Sequence, residues 1–140
     1  MNITIFDILA GETEYGSQTR SNDDELSLSI RNHLRHLLNT RRGSLSHLPH
    51  YGMPDITALF QGLPYTRDTI MYCIRQCVRD FEPRLRQPFV RPRHVDSGED
   101  ITQFEIVAET IKGEQVKTLC TLYRNGNIKV ETAWEYYHHV

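Results

Sequence analysis

Positive charge is not in excess in this sequence. Sixteen lysines and arginines face 18 aspartates and glutamates, for a formal charge of −2. A balance so near neutral gives no long-range pull toward nucleic acid or an anionic membrane surface. No apolar run is long enough to span a bilayer. The amino terminus, MNITIFDILAGETE, lacks the basic region of a signal peptide and carries Asp7 inside its apolar run, so the expected location is cytoplasmic. Cysteine is scarce, at three residues. An odd number in a leaderless chain fits reduced thiols rather than a disulfide framework. There is no internal repeat and no low-complexity segment. A nucleophile elbow, a P-loop and a dinucleotide fingerprint are all missing, which removes the commonest routes to an enzymatic reading.

What is present is the composition of a folded domain: 39% hydrophobic and 24% charged residues in a chain of 140. That length suits one domain with a modest core. Leu26, Ile30, Leu34, Leu37 and Leu38 follow the 3.6-residue period and predict a helix over Asp23–Thr40. Asn22 is its expected cap, with Glu25 as capping-box partner. Gly43 is placed to leave the helix in the left-handed conformation. Before this helix, residues 1–22 read as an apolar arm, Asn2–Ala10, on a polar tether; residues 23–140 read as the domain.

Gly43–Pro54 reads as a loop with two prolines and two glycines. Asp55 caps a short helix over Ile56–Gln61, and Thr66 or Asp68 opens a second long one. Ile70, Cys73, Ile74, Cys77, Val78 and Phe81 form its core stripe, and Pro83 marks its end. The period then changes to two. Phe104, Ile106 and Ala108 alternate with Glu105, Val107 and Glu109, as in a half-buried strand. Val116–Tyr123 and Ile128–Trp134 are the arms of a hairpin turned at Asn125–Gly126. Leu85–Val95 reads as extended, and Pro88 and Pro92 place it at a sheet edge. His94–Asp100 is a loop. Tyr123, Trp134, Tyr136 and Tyr137 read as cross-strand packing aromatics, with an exposed extended tail over Tyr136–Val140 as the alternative. The expected fold class is α+β, with two main helices on one face of a small antiparallel sheet and a flexible amino-terminal arm.

Four groups of residues invite functional readings. His33 and His36, and His47 and His50, sit three apart, but neither pair has the third and fourth ligands that zinc requires, so no metal is expected. Cys73 and Cys77 lie on the apolar stripe and read as core. Arg79, Arg84, Arg86, Arg91 and Arg93 form a basic cluster with only Phe89 among them, which suits an acidic protein surface better than nucleic acid. Glu82–Pro83–Arg84 by itself reads as a helix stop with an ion pair.

LNTRRGS followed by PHYGMPDI, the amino-terminal NITIFDILAG, and FEPRL at Phe81–Leu85 occur in an order and spacing that resembles the TssE family, the small baseplate subunits of type VI secretion systems. That family is similar to a baseplate wedge protein of contractile-tailed phages and sometimes carries a lysozyme-like label. The resemblance covers nearly the whole chain. It implies a non-enzymatic structural protein without cofactors, with TssF and TssG as wedge partners, TssK reached through the wedge, and the TssB/TssC sheath above. It also implies that Glu82, Pro83 and Arg84 are partner-binding residues, either bonding partner helices directly or bracing the loop that does. The implied mechanism is templating, in which a sheath strand adds to an open sheet edge. The alternatives are an anti-adaptor of the same superfamily and a hydrolase. A hydrolase needs two carboxyls across a sugar cleft. Asp80, Glu82 and Asp55 are the candidates, and no cleft is readable around them.

Overall fold

The computed structural model describes residues 18–93 and 101–137, with side chains described in the first helix from Glu25 onward. The expected arm, apart from its last residues, lies outside the described residues, as do the expected loop at 94–100 and residues 138–140.

Helix α1 spans Gln18–Asn39. It begins earlier than the expected Asp23, and Asn22 lies inside it rather than capping it. No glycine or proline interrupts QTRSN. Helix nucleated by the buried leucine stripe therefore propagates backward, since extension costs little once a turn exists. The stripe is buried as expected, with Ile30, Leu34, Leu37 and Leu38 in the core and Leu26 packed against it. At its other end, α1 closes on Thr40, whose hydroxyl donates to the His36 carbonyl at 2.7 Å. Gly43 does have positive φ, +91°, but in the turn beyond the helix rather than at its exit.

The loop that follows is held by backbone. The Met53 amide donates to the Thr40 carbonyl and the Arg42 amide to the Met53 carbonyl, both at 2.8 Å. Helix α2 spans Ile56–Gln61, with the Asp55 carboxylate accepting from the Thr57 amide at 3.1 Å. Helix α3 spans Arg67–Phe81 and stops at Glu82, before Pro83. Ile70, Ile74, Cys77 and Val78 of its stripe are buried, and Cys73 and Phe81 pack against the same core.

Four antiparallel strands follow in sequential order: β1 Leu85–Arg93, β2 Ile101–Thr110, β3 Gln115–Tyr123 and β4 Ile128–Thr132. Strand β1 is an edge, as its prolines required. The turn into β4 is a type I turn with a glycine bulge. Gly126 alone has positive φ, +92°, and the Asn125 side chain instead accepts from the Asn127 amide at 2.9 Å. Strand β4 ends at Thr132, short of the expected Trp134, and Ala133–Tyr137 forms a short helix, α4. The reason is a capping box. The Glu135 amide donates to the Thr132 hydroxyl at 3.0 Å, and the Thr132 amide to the Glu135 carboxylate at 2.9 Å.

Helices α1 and α3 lie on one face of the sheet, α1 against β4 and α3 against β1. Between them Phe104, Ile106, Cys120, Leu122, Ile128 and Val130 are buried in one core. On the opposite face, Glu105 is buried although the alternation left it at the surface. Arg91 from the neighbouring strand covers it, its Nε donating to the carboxylate at 2.6 Å.

Candidate functional site

Three sequence motifs far apart in the chain meet at one place. The centre is Glu82, the residue that ends α3. Its backbone amide still donates to the Val78 carbonyl, which fixes the side chain against α1. The side chain is 1% exposed. An ionised carboxylate in such a position requires donors on both oxygens, because desolvation alone favours the neutral acid. It has them. Arg84 Nε and the Arg84 amide donate to Oε1 at 2.9 and 3.1 Å, and Arg84 Nη2 to Oε2 at 3.0 Å. His33 Nδ1, from the middle of α1, lies 2.7 Å from Oε2. Burial pushes the Glu82 carboxyl up, but the bonds from Arg84 and His33 outweigh it and hold the group below the usual carboxylate range. A carboxylate only accepts, so His33 carries its proton on Nδ1.

Pro83 between the two charges is exposed and turns the chain out of α3 toward β1. Arg84 extends past Glu82 to α1, where Nη1 donates to the Ser29 hydroxyl at 2.7 Å. The Arg84 side chain is 32% exposed, so part of its guanidinium surface faces out.

The YGMPD loop reaches the same cluster from the other side. The Tyr51 hydroxyl lies 2.9 Å from His36 Nδ1 and 3.4 Å from His33 Nε2. The Tyr51 ring meets Phe81 edge to face at 5.2 Å. Burial, with the negative charge of Glu82 nearby, raises the Tyr51 phenol further above its ordinary value. Gly52 follows with φ +111°, packed so closely that an added Cβ would lie 2.3 Å from the Thr40 carbonyl oxygen. Cys77 of α3 donates its thiol to the Gly52 carbonyl at 2.8 Å. The loop is thus a clasp between the end of α1 and the middle of α3.

Other residues singled out by sequence fall elsewhere. Asp55 caps α2, and Asp80, exposed on α3, pairs with Arg79 at 3.6 Å. Glu82 therefore has no second carboxylate facing it across a cleft among the described residues. The basic residues do not form one patch: Arg79 pairs with Asp80, Arg84 with Glu82, and Arg91 with Glu105. Arg93 stacks on Tyr136, 4.9 Å from the ring centroid. His33 and His36 face Tyr51, and the described residues contain no group of three metal-ligating side chains. No described helix is long and apolar enough to cross a membrane. Sequence reasoning missed Ser29 and Tyr51, and it weighed His33 only as a metal ligand and set that role aside. The signal was non-local, since His33 and Glu82 are 49 positions apart.

No curated protein sequence matches the chain. Among solved structures it is similar to a chain of the baseplate complex from the type VI secretion system, at 26% identity and a TM-score of 0.59 over 71% of this chain and 96% of that one. It is also similar to a Geobacter sulfurreducens protein described as a tail lysozyme, at 16% identity and a TM-score of 0.57 over 70% of this chain and 90% of that one. The second likeness is one of fold. Residues 24–114 match the family model of baseplate wedge protein gp25, a span that holds Ser29, His33, Tyr51, Glu82 and Arg84. The chain belongs to the baseplate wedge protein gp25 family.

Proposed function

We propose that the chain is a structural subunit of a type VI secretion baseplate that joins the wedge and starts the contractile sheath. The observation that carries this reading is the likeness to a chain of a type VI baseplate complex, which extends over 96% of that chain. The partners in this reading are TssF and TssG in the wedge, TssK reached through it, and the TssB/TssC sheath, all in the cytoplasm. Glu82, Pro83 and Arg84 serve the wedge interface. The buried Glu82 braces the junction, while exposed Pro83 and the outer side of Arg84 meet the partner. A sheath strand adds its backbone to an edge of the sheet, so the first sheath ring is laid in register.

Removing the gene tests the reading directly. The expected result is loss of fluorescent sheath assembly in cells, restored by the wild-type chain, and co-purification of that chain with TssF and TssG. Normal sheaths in its absence overturn the assignment. An anti-adaptor would instead bind a proteolysis adaptor and leave sheaths untouched. Genes for sheath and wedge proteins beside this one would favour the baseplate reading.

A further inference from the structure

The sheet has two edge strands, β1 and β4, and their backbones are in different states. Strands β3 and β4 meet at the turn where the Tyr123 amide donates to the Asn127 carbonyl. Alternation along an antiparallel pair then directs the N–H and C=O of Ile128, Val130 and Thr132 away from β3. Those groups are largely taken. The Asn39 carboxamide, at the end of α1, spans Ile128. It accepts from the amide at 2.9 Å and donates to the carbonyl at 2.8 Å, as a peptide unit of a fifth strand would. Arg35, one turn earlier on α1, donates to the Val130 carbonyl at 3.3 Å, and Glu135 takes the Thr132 amide at 2.9 Å. A strand adding at β4 has to break all of these.

The same alternation, carried through the registers of β2 and β3, turns the backbone groups of Val90 and Pro92 outward from β1. Pro88 and Pro92 have no N–H to offer. The Pro88 carbonyl accepts from Arg75 of α3 at 3.3 Å. From Pro88 to Pro92 that leaves the Val90 amide and the carbonyls of Val90 and Pro92, and among the described residues no group bonds them. The side chains of β1 include Arg86, Arg91 and Arg93 and no acid. Arg91 and Arg93 both face Glu105, so the edge carries more positive than negative charge. Phe89 is 57% exposed beside them.

Resting on the function proposed above, we infer that the added strand pairs with β1 and not β4, centred on the Val90 amide, and that it is an acidic extended segment with an apolar residue to meet Phe89. Carboxylates placed beside Arg86 and Arg91 supply the cross-strand pairs that fix its register. The arrangement of β1 also explains how an open edge is kept from pairing indiscriminately. Between Pro88 and Pro92 the edge offers a single outward donor, too few for a random strand to hold, and arginines reject basic ones.

Amide-resolved hydrogen exchange on the full chain, with and without the assembled TssB/TssC pair, tests the inference. The expected result is that exchange of the Val90 amide slows by about tenfold or more on binding while Ile128 is unchanged. Asn39→Ala should speed exchange at Ile128 in the free protein and leave sheath binding intact. Replacing the Val90 amide by an ester, which keeps the side chain, should weaken binding by about five- to tenfold. Protection at Ile128 in place of Val90 overturns the assignment of the edge and leaves the baseplate reading standing. Sheath binding with neither amide protected overturns strand addition at either edge. No binding at all overturns both the inference and the function it rests on. Retained binding by a chain with Arg86→Glu and Arg91→Glu overturns the acidic character of the segment.

Discussion

His33 Nδ1 lies 2.7 Å from Glu82 Oε2, and that bond ties the middle of α1 to the residue at which α3 ends. Arg84 completes the tie from the other side. The two ends of this triad differ in what their loss leaves behind. Arg84→Ala leaves Glu82 buried with His33 alone, and an undercompensated buried charge costs about 3–5 kcal/mol. Glu82→Gln leaves His33 and Arg84, each about one-third exposed and able to find water. Its cost should be nearer 1–3 kcal/mol, that of unmade hydrogen bonds. Urea unfolding at neutral pH should therefore rank Arg84→Ala below Glu82→Gln. The reverse order would show that Glu82 is not held by Arg84 in the way described.

The triad also sets a pH dependence. Burial raises the Glu82 carboxyl, but Arg84 and His33 bring it below its ordinary value of 4.5. A carboxyl with a depressed folded pKa contributes stability above its unfolded pKa. That stability is lost as pH falls through the folded value. The difference in unfolding free energy between wild type and Glu82→Gln should be constant above about pH 5.5 and shrink on acidification below the ordinary Glu range. A gap unchanged down to pH 3 would mean that Glu82 does not titrate with unfolding.

How much of this was legible beforehand follows from range. The stripes of α1 and α3 are local periodicities, and both were readable. Asp55 as a cap and Pro88 and Pro92 as marks of an edge strand depend on one residue's own chemistry, and they held. The Thr132–Glu135 box was readable by the same rule that was applied, wrongly, to Asn22 and Glu25. Asn22 failed because helix propagates through polar residues that nothing interrupts. The Glu82 triad was only half legible. Its Arg84 side is two residues away, whereas its His33 and Ser29 side spans the chain. No local pattern marks a histidine on the half-polar flank of a helix as a partner for a distant carboxylate. Asn39 was equally silent, because a peptide-mimicking carboxamide has no sequence signature until the strand it serves is in place.

Glycoside hydrolysis makes a chemical demand that Glu82, Asp55 and Asp80 do not meet. Both oxygens of Glu82 are occupied by Arg84 and His33, Asp55 is committed as a cap, and Asp80 pairs with Arg79. A retaining or inverting glycosidase needs two carboxyls facing one sugar, about 5–9.5 Å apart. The purified protein should leave a peptidoglycan suspension turbid. Clearing that is abolished by Glu82→Gln, with the fold retained, would restore the enzymatic reading.

The three thiols should be poor nucleophiles. Burial pushes Cys120 up to about 12 and Cys77 up to about 11, the latter against the nearby charge of Arg42. Cys73 is raised by burial as well. The thiolate is the reactive form, so alkylation of the native protein at pH 8 should be slow at all three and fast in denaturant. The partly exposed Cys73 should react first. Rapid native labelling of Cys120 would mean that the sheet opens far more often than its packing implies.

The last prediction separates two glycines in the loop. Gly43 and Gly52 both have positive φ, +91° and +111°, so alanine at either is strained in the backbone by about 1–2 kcal/mol. Their surroundings differ. Nothing lies within 4 Å of a Cβ added at Gly43, whereas one at Gly52 meets the Thr40 carbonyl oxygen at 2.3 Å and its carbon at 2.9 Å. These are backbone atoms, and Thr40 cannot yield because its carbonyl accepts the Met53 amide. Moving Gly52 instead breaks its own carbonyl's bond to Cys77 and pulls Tyr51 away from His36. Forced overpacking adds about 1–3 kcal/mol to the backbone strain. Gly52→Ala should therefore cost about 2–5 kcal/mol and Gly43→Ala about 1–2 kcal/mol. Thermal melts of the two variants decide the matter. Gly52→Ala should melt well below Gly43→Ala and lose co-purification with the proposed partners TssF and TssG only to the extent that it unfolds. Equal melts would mean that the clasp between α1 and α3 opens freely. A well-folded Gly52→Ala that no longer binds its partners would move the loop from the interior of the subunit to its interface.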